Sequence, residues 1–190
     1  MTIMVLVAIS GTGGTGKTAV AKALVKLLDG YKLIELNKLA KRIKACKRYD
    51  AARKTNIVDM RKLKAEVKKL KKEHKSLIIE GLFAHEFDAD LVIILRCRPD
   101  VLRRRLKRKY TWHTKINENV EAELIGIITE EAIAKHGRRK KKVFEIDTTQ
   151  KTVKQTVRIA ARILKKRPNA YKVGKIDWTL KQRLMSRFLK

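Results

Sequence analysis

Gly11-Thr12-Gly13-Gly14-Thr15-Gly16-Lys17-Thr18 fits the pattern G-x-x-x-x-G-K-[ST], and its flanks decide the fold. Upstream runs Ile3-Met4-Val5-Leu6-Val7-Ala8-Ile9, an apolar segment of strand length. Downstream, Ala19-Val20-Ala21-Lys22-Ala23-Leu24-Val25 opens a helical pattern. A glycine-rich turn between a buried strand and a helix start aims backbone N–H groups and the helix's positive end at a phosphate. In that setting Lys17 reaches the β- and γ-phosphates and the Thr18 hydroxyl ligates Mg²⁺. Gly11, Gly13 and Gly16 also spell G-x-G-x-x-G, with Glu35 about where a ribose-binding acid belongs. Lys17 and Thr18 argue for the P-loop, because neither a dinucleotide turn nor a merely tight turn has a use for that pair.

Strand and helix patterns alternate from there. Asp29-Gly30 stops the first helix, and Tyr31 to Glu35 reads as a second strand. A basic helical stretch is predicted from Leu36 to about Lys47. Asp59 caps a helix over Met60 to His74, with Leu63, Val67 and Leu70 on one face. Leu77 to Glu80 and Leu91 to Leu95 are apolar strands of the kind buried in a parallel sheet. Pro99 opens a further helix, and another is predicted from about Lys115 to His136, with Gly137 as its stop. Val143 to Asp147 is the fifth strand, Val153 to Leu164 the closing helix, and a basic tail follows from Pro168. The pattern predicts one α/β domain over residues 1–167, a P-loop fold with a five-stranded parallel sheet and helices on both faces.

Charge speaks about partners rather than fold. The 190 residues carry 48 Lys and Arg against 19 Asp and Glu, a net charge of +29. That points to phosphate-rich ligands, with RNA ahead of a membrane. No apolar run is long enough to span a bilayer. No basic region precedes the first apolar run, so a strand is expected there rather than a signal peptide. Cys46 and Cys97 are scattered, fit a reducing cytoplasm and read as small buried hydrophobes.

Phosphoryl transfer needs a cradle, Mg²⁺, positive charge over the transferring group and exclusion of water. Glu80 ends an apolar strand, where it would hold Mg²⁺ through water, orient a nucleophile, or serve as an ordinary strand-end acid. His85 lies in the next loop, as a substrate or water contact or as a plain loop histidine. Arg103, Arg104, Arg105, Lys107, Arg108 and Lys109 crowd one helix and its end. Leu102 and Leu106 mark the buried face, which leaves Arg104 and Lys107 for solvent and Arg105 beside the stripe. A solvated basic face is one reading of them. A small lid over Arg108 to Glu118, with Tyr110, Trp112 and His113, is the other.

With these residues in place the chain resembles the archaeal adenylate kinases related to eukaryotic adenylate kinase isoenzyme six. The matches run in order: Gly11 to Thr18, Leu36 to Ala40, Tyr49-Asp50 with Ile57 to Asp59, Ile78 to Gly81, Val92 to Cys97, Glu118 to Glu123, Glu145 to Thr149 and Gly174 to Trp178. The resemblance implies an ATP-dependent nucleoside monophosphate kinase with ATPase activity, AMP being the expected acceptor and other monophosphates possible. It also implies a part in late small-subunit ribosome maturation, through ribosomal protein eleven of the platform and contact with rRNA. Carried over by position, Gly14, Gly16, Lys17, Thr18 and Ala19 hold ATP, joined by Arg108 and Lys109. Glu35, Asn37, Lys41 and Asp50 lie in the monophosphate-binding region, about 35–58, and the lid falls at about 108–118. Lys17, Glu80 and His85 would be catalytic, with Mg²⁺ at Thr18 and Glu80. Two positions depart from the family: Leu82 stands where a histidine is usual, and Lys109-Tyr110 where an arginine precedes a glycine. Residues 51–54 also lack the acids that relatives carry. The acidic group Glu118, Glu121 and Glu123 is expected on a helix surface, and Asp177-Trp178 is expected to tack the tail to the body. The alternative is a ribosome-assembly ATPase and RNA-binding factor whose phosphoryl acceptor is water.

Replacing Lys17 by Ala removes the cation from the cradle but no packed core. ATP binding is expected to weaken by about 1.5–3 kcal/mol and turnover to cease, with the circular dichroism spectrum unchanged. Calorimetry and a phosphate-release assay check this.

Overall fold

The computed structural model describes residues 5–50, 55–137 and 142–179. Five parallel strands form the sheet: β1 (Val5–Ser10), β2 (Tyr31–Glu35), β5 (Ser76–Glu80), β6 (Leu91–Arg96) and β7 (Val143–Asp147). Their order is β2-β5-β1-β6-β7, which puts β1 at the centre. Side chains alternate across each strand, so each strand feeds two cores. Leu6, Ala8, Leu77, Ile79, Val92 and Ile94 face one layer. It contains α2 (Leu36–Arg42), α3 (Met60–Glu73) and α6 (Ile127–His136). Val7, Ile9, Ile78, Ile93, Leu95 and Phe144 face the other. That layer holds α1 (Lys17–Leu27) and α7 (Val153–Lys166). The predicted parallel sheet with two helical layers is therefore the one observed.

Local chemistry sets the helix starts. The Asp59 carboxylate accepts the N–H groups of Arg61 and Lys62 at 3.0 and 3.1 Å, capping α3 as expected. Thr152 and Gln155 form a reciprocal capping box at α7. A smaller apolar group under the P-loop joins α4 (Pro99–Lys107) to α5 (His113–Leu124) through Leu102, Leu106, Ile116 and Val120.

Three expectations need correction. The helix predicted to reach Lys47 ends at Arg42, and a hairpin follows, β3 (Cys46–Asp50) against β4 (Thr55–Val58). Lys44 takes a left-handed backbone, φ 51°, and turns the chain. The helix predicted over residues 115–136 is two helices, because Gly126 at φ 69° breaks it and starts α6. The stop expected at Gly137 has ordinary helical angles instead of a left-handed turn. After Pro168 the chain stays on the body, tacked there at Trp178 as expected. Val173 donates to the Val143 carbonyl, Lys172 bridges to Phe144, and Trp178 is buried. Residues 51–54, the basic run Arg138 to Lys141 and tail residues Lys181, Arg183, Arg187 and Lys190 lie outside the described residues.

At Gly11, φ is 139°, and a Cβ there would stand 2.4 Å from the Leu95 carbonyl oxygen. Gly11→Ala is expected to cost about 2–4 kcal/mol of stability. A drop in the thermal midpoint checks it, whereas an unchanged midpoint would mean the loop shifts freely.

Candidate functional site: a phosphate cradle at the strand ends

The site lies at the carboxyl ends of β1, β5 and β6, where the chain switches from one side of β1 to the other. A cavity of about 380 Å³ is lined there by Gly13, Gly14, Gly16, Lys17, Thr18 and Ala19 from the loop and the first turn of α1. Asn37, Glu80, Gly81 and Leu82 close one side, and Lys109, Tyr110, Lys115 and Asn119 the other. A second cavity of about 250 Å³, with Ala40, Lys41, Cys46, Asn56, Val58 and Phe83, shares Asn37 and Leu82 with the first. The hairpin β3–β4 forms its far wall.

Lys17 folds back so that Nζ donates to the Thr12 carbonyl at 2.9 Å. Its surroundings are poorly solvated, and burial lowers its pKa to about 8, opposed by the negative charge of Glu80 and assisted by nearby Lys109. Glu80 lies beside it, 5 % exposed, and accepts the Thr18 hydroxyl at 3.2 Å. Burial raises the Glu80 pKa, against the pull of Lys17 and the Thr18 hydrogen bond. One hydroxyl and one carboxylate, adjoining and open to a cavity, fit Mg²⁺, which takes few protein ligands and fills its shell with water and phosphate oxygens. Among the described residues no cluster of three His, Cys, Asp or Glu forms a dedicated metal cage.

The other sequence-nominated residues divide. Ala19 and Lys109 line the first cavity, and Asn37 and Lys41 reach the second. Arg108 is exposed at the end of α4 and lines neither, so the lysine takes the place considered for a guanidinium. Glu35 turns to another hollow with Lys38, its ion-pair partner at 2.8 Å. The hydrogen bond from Lys38 holds its pKa below the usual range. Asp50 ends β3 and lines neither cavity. His85 requires a correction. It is fully buried behind the site, with Nδ1 2.9 Å from the Ser10 hydroxyl and Nε2 3.1 Å from Glu131. Burial lowers its pKa, so it is a neutral structural imidazole rather than a group facing substrate.

Glu123 is the second correction. Glu118 and Glu121 are exposed as expected, but Glu123 is 1 % exposed. Its carboxylate accepts Arg96 Nε at 2.7 Å, the Cys97 N–H at 3.1 Å and the Thr12 hydroxyl at 2.6 Å. Asn119, one turn earlier, accepts the Gly13 N–H at 3.1 Å. The spacing of Asn119 and Glu123 at i, i+4 was the available signal, since it places both on the face of α5 nearest the loop. Arg105, expected beside the buried stripe, donates to Thr148 and Thr149.

The profile of a family described as an AAA domain matches residues 7–126. Among similar proteins, one named "Putative adenylate kinase" from Methanocaldococcus jannaschii is 31% identical over 175 residues, spanning 92% of this chain and 93% of its own. Proteins of the same name from Methanosarcina barkeri and Pyrococcus abyssi are each 36% identical. They cover 91% and 92% of this chain, and 97% and 91% of themselves. The solved shikimate kinase from Acinetobacter baumannii covers 87% of this chain and 96% of itself, with TM-score 0.61 at 15% identity. A thymidylate kinase from Candida albicans covers 85% of this chain and 91% of itself, with TM-score 0.54, also at 15% identity. At that identity the structural likeness speaks for the fold alone.

Two outcomes follow from the geometry. Glu80→Gln should lower kcat on the order of 10²-fold while leaving KM for ATP nearly unchanged. Retained kcat with a lower melting temperature would make Glu80 an ordinary strand-end acid. Lys17 must be cationic to hold phosphate, and bound phosphate raises its pKa above the free value of about 8. Binding therefore takes up a proton above that pH, and ATP affinity falls as pH rises through it. Titration calorimetry from about pH 7.5 to about pH 9.5 reads this, and Lys17→Arg should abolish it.

Proposed function

The chain belongs to the AAA-domain family and to that of the proteins named "Putative adenylate kinase", and we propose that it transfers the γ-phosphoryl group of ATP to a nucleoside monophosphate, AMP first among them. The observation that carries this reading is the pair of adjoining cavities. A cradle alone suits any nucleotide hydrolase. A second hollow beside it, sharing Asn37 and Leu82 as wall residues and with Lys41 on its wall, suits an acceptor that carries its own phosphate.

In this reading the loop amides and Lys17 hold the β- and γ-phosphates, and Lys109 adds charge from the segment joining α4 to α5. Thr18 and Glu80 would hold Mg²⁺, which supplies Lewis-acid neutralisation of phosphate charge when bound. Residues 108–118 would close over the cleft and keep water out, so that the acceptor phosphate rather than water meets the γ-phosphorus. Residues 35–58 would form the acceptor side. Among the described residues no histidine lines the cavity near Leu82, so proton handling would fall to Glu80 or to the acceptor phosphate itself. Hydrolysis to phosphate is the expected side reaction when the acceptor site is empty.

A second reading, ribosome assembly with contact to rRNA and to ribosomal protein eleven in the cytoplasm, is favoured by the surface. Helix α7 has no acidic residue. Lys154, Arg158, Arg162 and Lys166 recur every fourth residue along it and are exposed. None of the four is in an ion pair among the described residues. Such a stripe suits a phosphate backbone. Among the described residues no helix is long and apolar enough to cross a membrane.

A coupled assay with AMP, GMP, CMP and UMP tests the first reading. It predicts acceptor-dependent ATP loss with two ADP formed per ATP when AMP is the acceptor. Equal rates with and without every monophosphate would contradict it. For the second reading, changing the four α7 cations to Ser should make the log-log salt dependence of RNA affinity shallower by about 2–3. An unchanged slope would remove α7 from the contact.

A further inference from the structure

We propose that Trp178, acting through Glu123, is a positioning residue for the phosphate-binding loop, so that the segment after Pro168 completes the nucleotide site. The inference rests on the reading of Lys17 as the phosphate lysine. The two oxygens of the buried Glu123 carboxylate do different work. Oε1 accepts Arg96 Nε, the Cys97 N–H and, at 3.2 Å, the indole N–H of Trp178. Oε2 accepts the Thr12 hydroxyl alone among these, at 2.6 Å. Thr12 is 2 % exposed, and its carbonyl in turn takes Lys17 Nζ and the Thr15 hydroxyl, each at 2.9 Å. One continuous chain of contacts thus runs from Trp178 through Glu123 and Thr12 to Lys17.

Trp178 does not reach Glu123 by accident of packing. Gly174 and Lys175 donate their N–H groups to Glu145 Oε2 at 2.8 and 3.4 Å. The Ile176 carbonyl accepts Arg96 Nη1 at 3.3 Å, and the same nitrogen donates to Glu145 Oε1 at 2.8 Å. The segment is therefore tied at the Nη1 end of the Arg96 guanidinium before the indole closes over Glu123. A carboxylate held on Oε1 by three donors has one orientation, and in that orientation Oε2 meets Thr12. With the indole N–H gone, Oε1 keeps only Arg96 Nε and the Cys97 N–H, and the carboxylate holds Thr12 and the loop that follows it less firmly.

The test is a double-mutant cycle on the full chain, with ATP affinity from calorimetry and the thermal midpoint measured side by side. Thr12→Val keeps the shape and removes the hydroxyl donor, and Trp178→Phe keeps a ring and removes the indole N–H. Neither strips a partner from Arg96, so both variants should fold. We expect Thr12→Val to weaken ATP binding about tenfold or more, and Trp178→Phe about three- to tenfold. The double variant should bind no worse than Thr12→Val alone, because the proposed path from the indole to the loop runs through that hydroxyl. Additive losses, or a lower melting temperature with ATP affinity intact in Trp178→Phe, would overturn the proposal and leave Trp178 a plug. Failure of the wild-type protein to bind ATP would instead overturn the nucleotide reading itself, and this inference with it.

Discussion

A guanidinium that is 2 % exposed can stay in a protein interior only if carboxylates stay with it, and Arg96 sets that condition here. It ends β6, the strand beside the central one. Glu123 of α5 and Glu145 of β7 supply the counter-charges at 2.7 and 2.8 Å, and Thr129 of α6 accepts at 2.9 Å. One cation thus fixes where three elements lie at the strand ends. Removing either carboxylate would leave a buried charge unpaired, at a cost of about 3–5 kcal/mol. The same carboxylates reach further, Glu123 to the loop through Thr12 and Glu145 to the chain after Val173.

The cradle is built on that frame. Strand β1 delivers the loop, β5 delivers Glu80 alongside it, and α5 seals one loop amide with Asn119. What remains is a half-buried lysine on a backbone carbonyl and a carboxylate whose pKa burial raises. Both are waiting for charge. A polyphosphate restores the lysine's proton affinity, and a cation lowers that of the carboxylate. Both shifts would be relieved by a ligand of opposite charge, which fits the proposed binding of phosphate and Mg²⁺.

Much of this was legible in the sequence, for physical reasons. The strands β1, β5 and β6 are continuous apolar runs, which only a sheet covered on both faces can bury. Gly16-Lys17-Thr18 announces its chemistry because those residue types have no cheaper use in that place. The hairpin β3–β4 was missed because Lys47 and Arg48 carry no apolar alternation and Lys44 turns the chain through a left-handed backbone that lysine rarely signals. The split of α5 from α6 rested on Gly126, a single residue inside an otherwise helical pattern. Glu123 was misplaced on the surface because burial of a carboxylate depends on a partner 27 residues away, Arg96, that no local pattern reveals. His85 was over-read for the same reason: its partners Ser10 and Glu131 come from elements distant in sequence.

The cationic helix α7 lies on the layer that packs against α1, while the cavities open at the strand ends, so the basic stripe and the cavities occupy different parts of the molecule. The proposed reaction moves phosphorus from one nucleotide to another across the adjoining cavities. Its most direct measurement is the fate of label in ATP carrying a radioactive γ-phosphoryl group, incubated with the protein, Mg²⁺ and AMP. Transfer to AMP puts the label in ADP, formed at the expense of AMP. Label found in orthophosphate alone, at a rate AMP does not change, would contradict it.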